Sequence, residues 1–125
     1  MKPTTVFVSH ARSDQGLADE LLRALRRMQV NVWSDDQLTA GENWSEVLRA
    51  RLRDSDYFLL LLTPRTLESS WVLQELGAAW ALGKRIVTLS TDPRLVDKLP
   101  VEVSGLQTLG VEEMDRLEDV LGRVA

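Results

Sequence analysis

Apolar positions along the chain follow two alternating patterns. Short apolar runs, TVFVS (5–9), VNVWS (30–34), YFLLLLT (57–63) and RIVTLS (85–90), read as strands. Between them lie segments with helical spacing. SDQGLADELLRALRRM (13–28) brings Leu17, Leu21, Leu25 and Met28 to one face, with Ser13 as a candidate N-cap. SEVLRARLRDS (45–55) repeats Val47, Leu48 and Leu52. SSWVLQELGAAWALG (69–83) is apolar nearly all round, with Gly83 placed to stop it. EEMDRLEDVLGRV (112–124) aligns Met114, Leu117, Leu121 and Val124. YFLLLL has no polar alternation, as expected of a central parallel strand covered on both faces, and Pro64 ends it. The stretch from Thr91 to Gly110 is irregular, with Pro93 and Pro100, and VSGLQTL has room for a short edge strand.

The order β-α-β-α-β-α-β-(short β)-α predicts an α/β fold: a flavodoxin-like, doubly wound parallel sheet of four to five strands with helices on both faces. Residues 1–125 are read as one domain, without repeat, linker or low-complexity tract. In such sheets ligands bind outside the carboxyl ends of the strands. Those ends carry Ser9-His10-Ala11-Arg12, Ser34-Asp35-Asp36, Thr63-Pro64-Arg65 and Ser90-Thr91-Asp92.

One residue breaks the apolar pattern. Glu75 is the only charge between Glu68 and Lys84. A buried carboxylate costs several kcal/mol unless something satisfies it. Either a cation meets Glu75, with Arg12 and Arg65 among the candidates, or Glu75 faces a cleft and has chemistry to do. Trp80 of the same helix is read as core, and Trp71 as core packing that also walls the pocket.

Composition narrows the chemistry. A net charge of −4 and a pI near 5.0 give no support for nucleic-acid binding. The chain has no cysteine and one histidine, His10, so thiolate chemistry and multi-histidine metal sites are excluded and no metal is expected. The longest apolar run is far short of the roughly 20 residues that cross a bilayer, and the N-terminus lacks a signal-peptide pattern, so a cytoplasmic location without membrane contact is expected. The glycines form neither GxGxxG nor GxxxxGK[ST], and GxSxG is missing. A phospho-acceptor receiver has this size and topology but needs acidic residues where Ser9-His10 and Thr63-Pro64 stand.

Three segments carry a family resemblance. VFVSHARSD (6–14), VNVWSDDQLTAGENW (30–44) and LRDSDYFLLLLTPRTLESSWVLQEL (52–76) resemble the opening strand, the second strand with its BB loop, and the third strand with the Ser-x-Trp-x-x-x-Glu-Leu helix of Toll/interleukin-1 receptor (TIR) domains of the bacterial type. In enzymatic members, the glutamate four residues after that tryptophan is the catalytic residue of an NAD⁺ glycohydrolase, and Glu75 stands four residues after Trp71. The resemblance implies cleavage of the nicotinamide–ribose bond, giving nicotinamide and ADP-ribose or a cyclic isomer. NAD⁺ is then a substrate and no cofactor is needed. Assembly with other TIR domains is the implied switch, and bacterial immunity or virulence the implied setting.

Ser9, His10, Arg12, Trp33, Asp36, Trp44 and Trp71 are the candidate substrate contacts. Arg12 suits a pyrophosphate and Trp33 or Trp44 a stacked base, and Asp36 is favoured over Asp35 as the loop carboxylate. Leu38, Gly41 and Trp44 are candidate BB-loop assembly contacts. Two other readings compete: a non-catalytic TIR interaction module, and a deoxyribosyltransferase-like enzyme acting on another nucleoside.

Overall fold

A computed structural model describes residues 3–34, 44–100 and 107–121, without the side chains of Trp44 and Ser45. Five strands form one parallel sheet: β1 (Thr5–Ser9), β2 (Asn31–Ser34), β3 (Tyr57–Leu62), β4 (Arg85–Ser90) and β5 (Gln107–Gly110). Their spatial order is β2-β1-β3-β4-β5, the flavodoxin-like arrangement. Among the described residues four helices accompany them: α1 (Gln15–Arg27), α2 (Trp44–Asp54), α3 (Ser70–Ala81) and α4 (Leu117–Leu121). The edge strand expected within VSGLQTL is β5.

The topology dictates which face each helix covers. The chain leaves β1 for β2 on one side, then returns past β1 to β3 on the other. Right-handed crossovers therefore put α1 on one face of the sheet and α2 and α3 on the opposite face. Side chains alternate to match. Val6, Val8, Leu59, Leu61, Val87 and Leu89 pack with Leu21 and Leu25 of α1 and Leu117 and Leu121 of α4. Phe7, Phe58, Leu60, Leu62 and Ile86 pack with Leu52 of α2, Val72, Leu76 and Ala79 of α3, Leu95 of a 3-10 segment at Pro93–Lys98, and Leu99 just after it. Every residue of β3 is buried, so YFLLLL is the shared wall of both cores. Each of its leucines stabilises the fold by about 1.5–3 kcal/mol through burial.

Several local expectations change. Ser13 does not cap α1. It lies inside a 3-10 turn, Arg12–Asp14, and α1 begins at Gln15 with Asp14 in the cap position. Asp14 makes no cap hydrogen bond, because its carboxylate is engaged elsewhere. The last helix is shorter than 112–124: a 3-10 segment, Val111–Arg116, precedes α4. Trp80 is not core. It is 52% exposed: the buried stripe of α3 is Val72, Glu75, Leu76 and Ala79, and Trp80 lies about a quarter turn to one side of it, with Leu82 exposed on the other. Gly83 holds φ +71 just beyond the helix C-cap, as expected of a stop signal. Lys84 Nζ then donates to the carbonyls of Arg53 (2.6 Å) and Ser55 (2.9 Å), satisfying the end of α2.

Candidate functional site

The loops leaving β1 and β3 turn toward opposite faces of the sheet, so the carboxyl ends of these two strands form the topological switch point. Ser9 is the last residue of β1 and registers with Leu60 of β3. By alternation it points with Phe7 to the α3 face. Glu75 approaches it from above. Its position in the second turn of α3, beside Leu76 and Ala79, turns it inward to the sheet, and it is fully buried. Ser9 Oγ donates to Glu75 Oε1 at 2.6 Å, a short charge-assisted contact for an ionised carboxylate. A carboxylate and a hydroxyl thus meet at the strand end where this topology binds ligands.

Ser69 starts α3 correctly for this purpose. Its side chain accepts from Val72 N, fixing the first turn and with it the phase of Trp71 and Glu75, four residues apart. Trp71 is half-buried on the Glu75 side of the helix. The other predicted residues are distributed unevenly. His10 follows Ser9 and is buried, with Nδ1 2.9 Å from the Ala11 carbonyl. A carbonyl only accepts, so Nδ1 carries the proton in that contact. Arg12 is exposed in the 3-10 turn. Trp33 lies on β2, separated from β3 by β1. The Arg51 guanidinium lies 4.8 Å from its ring centroid, occupying one face, and Arg51 Nη1 also donates to the Ser34 carbonyl at 3.4 Å. Asp35, Asp36, Leu38 and Gly41 lie outside the described residues, as does the Trp44 side chain.

A second constellation at this edge went unread in the sequence. Asp14 is buried, its side chain 1% exposed. Its Oδ2 accepts from Thr63 Oγ1 at 2.6 Å. Its Oδ1 accepts from Arg65 Nε at 2.7 Å and is 2.6 Å from Arg65 Nη2. Thr66 Oγ1 accepts from Thr63 N at 2.9 Å and donates to the Leu61 carbonyl at 2.9 Å, tightening the turn that presents Thr63. The cluster ties the loop after β1 to the loop after β3 across the switch point. Arg65, one of the cations considered for Glu75, serves Asp14 instead. The sequence reading placed Arg65 at a strand end as a candidate cation for Glu75 and assigned Asp14 no role of its own, because a pairing across 51 positions leaves no local signal. Among the described residues, no group of three or more His, Cys, Asp or Glu side chains could hold a metal ion.

The fold is a doubly wound α/β domain with a buried carboxylate at its β1/β3 switch point. A family model described as the TIR domain matches residues 6–121, and the chain belongs to that family. It is 28% identical over 93 residues, 68% of its length, to a putative cyclic ADP-D-ribose synthase, TIR2, of Cytobacillus dafuensis. The chain spans only 24% of that relative's length. Among solved structures, it resembles the TIR domain of the Toll-related receptor TRR-2 of Hydra magnipapillata, with a TM-score of 0.69 at 16% identity over 94% of this chain and 91% of that one. It also resembles the CMP N-glycosidase BcmB of Clostridium botulinum (TM-score 0.66, 19% identity, 94% and 99% covered). The TIR domains of the activated Roq1 resistosome, which recognises the pathogen effector XopQ, give a TM-score of 0.64 at 19% identity, with 94% and 71% covered. These three structural likenesses speak to the fold. No helix among the described residues is long and apolar enough to cross a membrane.

Proposed function

We propose that this chain is an NAD⁺ glycohydrolase of the TIR type that cleaves the nicotinamide–ribose bond, with Glu75 as the catalytic carboxylate. The observation that carries this reading is the fully buried Glu75 held at 2.6 Å by Ser9 at the end of β1. The cyclic ADP-ribose synthase name of the Cytobacillus relative supports it.

The chemistry suits one carboxylate and no metal. As the bond from ribose C1′ to the pyridinium nitrogen breaks, its electron pair goes to that nitrogen and neutralises the departing nicotinamide. The leaving group therefore needs no general acid. Positive charge develops on the ribose as an oxocarbenium ion, and a fixed carboxylate stabilises it. Ser9 orients Glu75 for that role. Water attacking C1′ and losing a proton gives ADP-ribose; a nucleophile within the same molecule gives a cyclic isomer. Trp71, one turn before Glu75, supplies an apolar wall.

Glu75 is closed off from solvent in this conformation, so turnover requires the carboxyl-edge loops to part. Self-association that opens or completes this edge is the proposed switch, with other copies of the domain as partners. The test is NAD⁺ consumption with product identification, in dilute protein and in protein clustered on beads. Glu75→Gln is expected to lower turnover by roughly 10²–10³-fold while the fold persists. Retained turnover in folded Glu75→Gln refutes the assignment. CMP run in parallel separates this reading from a nucleotide N-glycosidase, which the BcmB likeness brings into view. A folded wild type that turns over neither substrate but associates would mark an interaction module.

A further inference from the structure

We infer that Arg65 contacts the phosphate groups of a nucleotide bound against Glu75, and that Asp14 is the positioning residue that holds it there. This inference rests on the nucleotide-cleaving reading above. Any NAD⁺-like substrate brings a doubly charged pyrophosphate to an edge that already carries the Glu75 and Asp14 carboxylates. A cation must offset that charge, and the geometry fixes one there.

Arg65 is anchored and yet open. Its Nε and Nη2 are spent on a single carboxylate oxygen, Asp14 Oδ1. A guanidinium has five N–H donors in a rigid fork, so the remaining ones stay available. The side chain is 56% exposed while its Asp14 partner is 1% exposed. Such pre-orientation reduces the ordering cost of gripping a phosphate. By contrast, Arg12, the pyrophosphate candidate from sequence, is exposed in the 3-10 turn after β1.

The placement fits one ligand. Thr63 stands three residues beyond Leu60, which registers with Ser9. At about 3.3 Å per residue, Thr63 lies roughly 10 Å beyond Leu60 along the strand direction, and by alternation its side chain turns with Leu61 toward the α1 face, so Arg65 and Glu75 flank the β1 and β3 carboxyl ends from opposite sides. A ribose at Glu75 would thus direct its 5′-phosphate toward the same edge. The tie also bridges the β1 and β3 loops, so the phosphate contact and the ribose contact hang from the same two strand ends.

The test is ligand-selective binding, measured by calorimetry on the wild type, Arg65→Lys and Asp14→Asn, with ADP-ribose and adenosine as probes. Arg65→Lys keeps the charge but loses the fork, and is expected to weaken ADP-ribose about ten-fold while leaving adenosine unchanged. Asp14→Asn is expected to give the same selective loss, since it frees the guanidinium. Equal losses for both probes would show a merely structural tie and overturn the inference. So would undiminished ADP-ribose binding in Arg65→Lys, or a wild type that binds no ADP-ribose. NAD⁺ turnover is scored separately: selective ADP-ribose loss without any wild-type turnover would keep the phosphate site and reject the enzymatic reading.

Discussion

Replacing Ser9 by alanine is the most direct probe of how Glu75 is held. Ser9 and Glu75 are both fully buried, and their oxygens are 2.6 Å apart. The substitution removes the hydroxyl donor and leaves Oε1 without it in a place water does not reach. A hydrogen bond to a charged group contributes about 1.5–3 kcal/mol. Ser9→Ala is therefore expected to lower stability by about that amount, or roughly 5–10 °C in Tm for a domain of this size. The assay is urea unfolding in a double-mutant cycle with Glu75→Gln, which keeps an acceptor but removes its charge. Against glutamine the same serine hydroxyl contributes only about 0.5–1.5 kcal/mol. The cycle should thus return a coupling of about 1–2 kcal/mol, above the ~0.5 kcal/mol scatter of additive sites. Equal costs of Ser9→Ala in both backgrounds, with unchanged m-values, would refute the charge-assisted contact and with it the orienting role given to Ser9.

Two further outcomes test the frame around the site. Gly83→Ala should destabilise by about 1 kcal/mol in the same unfolding assay, because φ +71 is strained for any side chain even though nothing crowds the position. The Asp92 carboxyl, beyond β4, is lowered from 3.8 to about 2, chiefly by the Arg94 side chain and then by the Arg94 backbone N–H. A lowered folded-state value means its contribution to stability is complete above 3.8 and disappears as pH falls toward 2. From pH 5 down to 2 the wild type should lose more stability than Asp92→Asn, the difference reporting Asp92 against the loss both share through Glu113, which is also lowered by the Gly110 backbone N–H and Arg116.

The legible part of this protein was its periodicity. A run such as YFLLLL carries no polar alternation, and only a strand buried on both faces accommodates that; the strand boundaries and the sheet's helical layers follow from such runs. Glu75 was legible for the same reason, as one charge in an otherwise apolar helix. Trp80 was not. Composition marks a tryptophan as core, but which stripe of a helix that is apolar nearly all round meets the sheet depends on how the helix docks.

The sequence by itself therefore determined the order of elements, the parallel sheet, the strand ends outside which such sheets bind ligands, and the carboxylate that stands out in the third helix. Those are local properties: spacing, polarity and punctuation are all written within a few residues. Only the tertiary structure decided which groups meet. Ser9 and Glu75 are 66 positions apart, and Asp14 and Arg65 are 51 apart. Arg65 could have satisfied either carboxylate as far as charge is concerned. The crossovers settle it: α1 and α3 descend on opposite faces of the sheet, so the loop after β3 delivers its arginine to Asp14 while α3 lowers Glu75 onto the end of β1.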